Sequence, residues 1–313
     1  MRVLLAYDGS AGAEAARELL GHLHLPSRTE VAVVFALDSR HGHVAAPEPA
    51  SRSAGDGQIQ RRLAHDIDRE LANVAAFLQA ADRSCATRLL HGRPASAIVD
   101  EARRWDADLV VIGARGHGPL ESLLLGSVSA EVVDHAPCPV LVARHPAVRR
   151  LLLGVDGSDS AHRAVATMAS WQLLHSVPAT VVSVVEPMPT WPMALGGAFA
   201  PTVVEVGSGV FEERHRRLLD AVKEALGTLR RSGMVADGEL REGDPAHQLV
   251  QAAIEHQADL LVVGTRGLSG LGRMLLGSVA RKVVLHTHAS VLVVRPVRAA
   301  VEVPEPTRSL AAV

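Results

Sequence analysis

Aromatic side chains are scarce in this chain: four Phe, three Trp and one Tyr make up 3% of 313 residues. That argues against a base-stacking platform for single strands of nucleic acid, which is built on aromatic rings. Charge of one sign is missing too. The 32 basic residues stand against 34 acidic ones, a formal net charge of −2, so no basic surface dominates and nucleic acid is not expected as the main partner. Cysteine is down to Cys85 and Cys138, and neither sits in a C-x-x-C pair, which disfavours a disulfide framework or a zinc cluster. Cys138, between Pro137 and Pro139, reads as a small buried residue at a strand entrance. No run reaches the roughly 18 apolar residues of a membrane helix. The opening MRVLLAYDGS has no basic segment followed by a long apolar stretch. A cytoplasmic protein without membrane contact is the expectation.

What the chain does have is Val, Leu, Ile and Ala, within a hydrophobic share of 48%. A core of that kind suits parallel strands buried on both faces under helices. The length fits about two domains of roughly 150 residues, and the sequence repeats itself. An apolar run ends at Gly113, then come Gly116, nine residues, and Gly126-Ser127; the same spacing returns at Gly264, Gly267 and Gly277-Ser278, 151 residues later.

Strand-like runs lie at 2–7, 31–36, 87–90, 109–112 and 140–143, with helical patterns at 11–22, about 59–81, from Pro94, and from 127 to about 134. Ser10 is available to cap the first helix, and Pro94 stands at an early helix position that tolerates it. Residues 39–57, rich in Ala, Pro, Ser and Gly, read as a mobile loop. The second half repeats the order, with strands at 150–155, 179–185, 260–263 and 291–294, helices at 161 to about 174 and 211–229, and an irregular stretch at 186–209. Alternating strands and helices mean right-handed βαβ units and a parallel sheet. Two five-stranded α/β domains are therefore expected, at 1–146 and 147–297, with a flexible tail at 298–313. The short connection at 145–149 implies that the halves pack together.

In a doubly wound sheet of order 3-2-1-4-5, ligands bind beyond the carboxyl ends of strands 1 and 4, where the order reverses. Asp8 and Gly113 meet there in the first half, Asp156 and Gly264 in the second. A glycine loop leading into a helix start cradles phosphate, because amides and the helix dipole face the anion. Gly113 and Gly116 allow close backbone approach, and Gly126 and Ser127 add free amides and a hydroxyl. Two readings fit Asp8 and Asp156: acceptors for ribose hydroxyls, or caps of an Asp-Gly turn. Two also fit Arg115, Arg266 and His117: partners of phosphate, or exposed loop residues. Neither loop is a Walker A or a G-x-G-x-x-G fingerprint.

The pattern Gly-x2-Gly-x9-Gly-Ser after the fourth strand, with Asp after the first and the ending HAPCPVLVAR, resembles the ATP-binding class of the universal stress protein family. The resemblance runs from Arg2 to about Val294 as a tandem pair. It implies an adenine nucleotide alpha hydrolase-like fold with sheet order 3-2-1-4-5, one adenine nucleotide per domain, and domains paired through their fifth strands. It also implies roles for single residues. Asp8 and Asp156 would hold ribose, Ala6 and Gly154 would lie under the nucleotide, and Ala36 and Val184 beside adenine. Gly113, Gly116, Gly126, Ser127 and Val128 would form one phosphate site, and Gly264, Gly267, Gly277, Ser278 and Val279 the other. The ligand expected is ATP, with or without Mg²⁺, and a homodimer of tandem chains is admitted.

The halves differ within the loops: Pro119, Glu121 and Ser122 stand where the second has Gly270, Gly272 and Arg273. A carboxylate near phosphates is unfavourable unless it turns away or meets Mg²⁺, so the second site is expected to bind more tightly. His22-x-His24, His41-x-His43 and His286-x-His288 each resemble half of a metal site without a third ligand group in view, and no metal is expected. Spacing identifies no catalytic set. A nucleotide-binding regulator, a slow ATPase or phosphotransfer enzyme, and a nucleotide-free scaffold remain the readings to separate.

Overall fold

Strands and helices alternate within each half of the computed structural model, which describes residues 1–37, 54–80, 84–116, 125–187, 200–265 and 276–295. The first half runs β1 (Arg2–Ala6), α1 (Ala11–His22), β2 (Glu30–Leu37), α2 (Ala54–Ala80), β3 (Ser84–His91), α3 (Pro94–Arg104), β4 (Leu109–Gly113), α4 (Ser127–His135) and β5 (Val140–Ala143). The second runs β6 (Leu151–Gly154), α5 (Asp159–Ser170), β7 (Ala179–Val185), α6 (Ala200–Arg231), β8 (Ala236–Glu242), α7 (Pro245–Glu255), β9 (Leu260–Gly264), α8 (Ser278–His286) and β10 (Ser290–Val294). Among the described residues no helix is long and apolar enough to cross a membrane.

The sheet order is β3-β2-β1-β4-β5-β10-β9-β6-β7-β8. Each half is parallel throughout and has the expected 3-2-1-4-5 order. The two blocks fuse edge to edge: β5 and β10 pair antiparallel, with Leu141 opposite Leu292, and make one ten-stranded sheet. Pairing through the fifth strands closes an edge that each block alone would leave open. Central strands are apolar on both faces because helices cover both; β4 (LVVIG) and β5 (VLVA) are buried at every residue. The outer strands β3 and β8 are half exposed.

Several element bounds move. Residues 54–57, read as loop, form the start of α2, and 200–209, read as irregular, belong to α6. Both stretches carry glycine, and the second β-branched residues as well, all of low helix propensity; each lengthens a helix whose later turns are buried against the sheet. The rest of 39–57, and the tail at 298–313, lie outside the described residues. The helix expected to run to 174 stops at Ser170, followed by a 3-10 turn at Gln172–Leu174. Cys138 is buried, and burial pushes its thiol up to about 12, with Asp108 adding to the shift.

Candidate functional site

The turn after β1 is set locally. Gly9 has φ +77, a left-handed conformation that a side chain would strain. The Asp8 Oδ1 accepts from the Ser10 N–H at 3.0 Å. Ser10 then caps α1, its Oγ accepting from the Ala13 N–H at 3.2 Å and donating to the Arg115 carbonyl at 3.1 Å. The turn-cap reading of Asp8 is therefore true of one carboxylate oxygen. The other, Oδ2, faces Gly116, where an added Cβ would fall 2.6 Å from it.

Across the crevice, the residues on either side of 117–124 meet. The Gly126 N–H donates to the Ala114 carbonyl at 2.7 Å, which ties the start of α4 to the end of β4. Gly126 is the N-cap of α4 and offers no side chain to its first turn. Amides of such a turn stay available to an anion, and the helix dipole adds to the attraction. Arg115 lies on the same rim. Its charge is the second cause, after burial, that pushes the Arg144 guanidinium down to about 10; an anion there relieves that repulsion.

These parts enclose one cavity of about 450 Å³, within the range of small-ligand sites. All the expected first-half residues that are described line it: Ala6, Asp8 and Ala36 on one side, Gly113, Arg115 and Gly116 at the loop, Gly126, Ser127 and Val128 at the start of α4. His117 lies outside the described residues. Other lining residues were not singled out. Val34, Ile98, Ile112 and Leu125 make the apolar wall, and apolar residues in strands and helices announce only a core. Ser129, buried, donates its hydroxyl to the Gly113 carbonyl at 2.7 Å and ties α4 to the end of β4.

The second half repeats the frame. Asp156 Oδ1 accepts from the Ser158 N–H at 3.0 Å, Gly157 has φ +75, and the Gly277 N–H donates to the Thr265 carbonyl at 2.6 Å. Gly277 caps α8 without a side chain, placing Ser278 and Val279 in its first turn. Gly154 lacks a Cβ where Leu249 reaches in, with both methyls 3.1 Å from the position it would take. Val184 is buried on β7. Arg266 and Gly267 lie outside the described residues, as do Glu121 and Arg273, on which the expected inequality of the sites rests.

Comparison with known proteins agrees with this frame. A model of the universal stress protein family matches residues 1–144 and again 147–295. The chain is 32% identical over 242 residues to a universal stress protein of Mycobacterium tuberculosis, covering 74% of this chain and 75% of that one. It is 35% identical over 153 residues to a universal stress protein of Thermus aquaticus, covering 47% of this chain and 98% of that one. Among solved structures, a universal stress protein from Archaeoglobus fulgidus has the same fold, with TM-score 0.63 at 20% identity over 94% of this chain and 98% of that one. With a tandem sheet of order 3-2-1-4-5, a glycine loop repeated in each half and a family match to both, this chain belongs to the universal stress protein family.

Proposed function

We propose that this protein binds adenine nucleotide, ATP by preference, at one site per half, and that occupancy serves a regulatory role in the stress response. The observation that carries the reading is the shared crevice: an apolar wall, a carboxylate and an uncapped helix start line one cavity of about 450 Å³. In this reading the adenine ring lies against Ala6, Ala36 and Ile98. The ribose hydroxyls donate to Asp8 Oδ2, the oxygen on the Gly116 side of the crevice. The phosphates take the amides of Ser127 and Val128, and Arg115 supplies countercharge. In the second half Gly154, Asp156, Val184, Gly264, Gly277, Ser278 and Val279 take the corresponding places.

Among the described lining residues Asp8 is the one carboxylate. Its assignment to ribose leaves no second carboxylate among the described lining residues to act as base for an attacking water, which favours binding over hydrolysis. To test the reading, purified protein is denatured and the released small molecules are identified by mass. Adenine nucleotide in the supernatant, or an ATP-dependent rise in Tm that Asp8→Ala reduces, supports it. Absence of both removes it and leaves the scaffold reading.

A further inference from the structure

The two halves fill one position differently. In the first, Tyr7, the residue after β1, is buried. Its hydroxyl donates to Glu14 of α1, with Glu70 of α2 at 3.5 Å. Arg17 holds Glu14 at 2.7 Å and lies 4.2 Å over the Phe77 ring. Together these side chains close the space between α1 and α2.

The second half keeps the backbone and removes the filling. The Val155 N–H donates to the Val182 carbonyl at 2.9 Å as the Tyr7 N–H does to Val34. The His162 N–H bonds to Ser158 as the Glu14 N–H bonds to Ser10. Val155 therefore stands for Tyr7, His162 for Glu14 and Val165 for Arg17. Cys85 pairs with Val31 and Ala236 with Ala179, and the long helices end at Ala80 and Arg231, each five residues before that strand position. By that register Ala221 stands for Glu70 and Thr228 for Phe77. A cavity of about 230 Å³ opens between α5 and α6, walled by Val155, Val165, Ala221 and Thr228 among others. His162 and Glu224 stand on its lining, 3.5 Å apart, their side chains 48% and 65% exposed.

We propose that this cavity is a binding site for a small neutral phenol, one aromatic ring bearing a hydroxyl, separate from the crevice at Asp156. The space is the one a tyrosine ring fills in the sister half, which sets the size and shape of the occupant. Apart from Thr228, His162 and Glu224 its walls are apolar, so burying a ring there releases water from hydrocarbon surface. His162 and Glu224 supply acceptors for the hydroxyl, in the role that Glu14 has for Tyr7. The described lining holds no Lys or Arg and presents the Glu224 carboxylate, so a phosphate or other anion meets repulsion in it.

Calorimetric titration of the full chain with p-cresol, and with toluene as the ring lacking a hydroxyl, tests the site. The expected result is saturable binding of one p-cresol per chain with Kd on the order of 1 mM, as for a fragment of few atoms, and weaker binding of toluene. Val155→Tyr puts the ring of the first half back and lowers p-cresol affinity by about tenfold or more. Thr228→Phe fills the same cavity from α6 and does likewise should Val155→Tyr fail to fold. Non-saturable uptake by the natural protein, or equal affinity in the natural protein and a folded filled variant, overturns the site. Toluene binding as tightly as p-cresol overturns the assignment of the hydroxyl.

Discussion

A Cβ added at Gly113 would fall 2.3 Å from the Gly12 carbonyl carbon, and one at Gly264 would fall 2.6 Å from Ser160 Oγ. The end of β4 and of β9 touches the first turn of the neighbouring helix, and only glycine fits. At Gly126 the nearest atoms to such a Cβ lie at 3.5 Å, an ordinary contact, and the space beyond is the crevice. Two glycines of one motif thus answer to different constraints. Gly113→Ala should destabilise the protein by about 1–3 kcal/mol or more through overpacking, measured by urea unfolding. Gly126→Ala should cost well under that and show itself in ATP affinity. Equal stability of the two variants would contradict this division.

Glu101, buried on α3, accepts from Arg104 at 2.6 and 2.8 Å and from Arg88. Burial pushes its carboxyl up, and the hydrogen bonds from Arg104 and Arg88 more than reverse that, leaving it below the ordinary 4.5. A carboxyl whose folded pKa is depressed adds stability above its unfolded pKa and loses it as pH falls through the folded one. Both arginines keep partial contact with water, so Glu101→Ala should cost about 2 kcal/mol at pH 7. The coulombic part of that difference should fade below about pH 4, which unfolding curves across pH would show.

At the scale of elements, capping sets helices apart. α1 and α5 begin at Ser10 and Ser158, whose hydroxyls accept from Ala13 and Ala161; α4 and α8 begin at glycines with no side-chain cap. Ser158→Ala should cost about 1 kcal/mol, read as a fall in the urea midpoint, with ATP affinity little changed. Ser10 and the central strands were legible in the sequence for physical reasons: a capping serine follows Asp-Gly, and a strand covered on both faces must be apolar throughout. β8, with the sequence ADGELRE, was not. An edge strand half open to water carries no run of hydrophobic residues. The crevice floor was legible as motif and its walls were not, because Val34, Ile98 and Ile112 line a ligand-sized space with residues that any core would use. Ser129 gave no signal, and Ala280 holds its place in the second half.

The whole molecule is joined by more than the β5–β10 pair. Arg144 donates to the Val284 carbonyl in the last turn of α8 at 2.7 Å and to the Ala289 carbonyl just before β10 at 3.2 Å. Arg295, its counterpart, donates to the Val133 and Asp134 carbonyls at the end of α4. A cation at each helix C-terminus complements the dipole, and the two arginines reach across the seam in opposite directions. The core on the α1 and α5 face also runs unbroken through both halves. Calorimetry should therefore show one cooperative transition, and Arg144→Ala with Arg295→Ala, each costing about 2 kcal/mol, should separate it into two. A single unshifted transition in the double variant would deny the arginines that role.

Calorimetric titration of the full chain with ATP, beside the same titration of Asp8→Ala, addresses the nucleotide reading at its centre. Two ATP molecules should bind per chain, and Asp8→Ala should retain the second-half site while losing or greatly weakening the first. Absence of saturable ATP binding, or an unchanged isotherm in Asp8→Ala, would contradict the account.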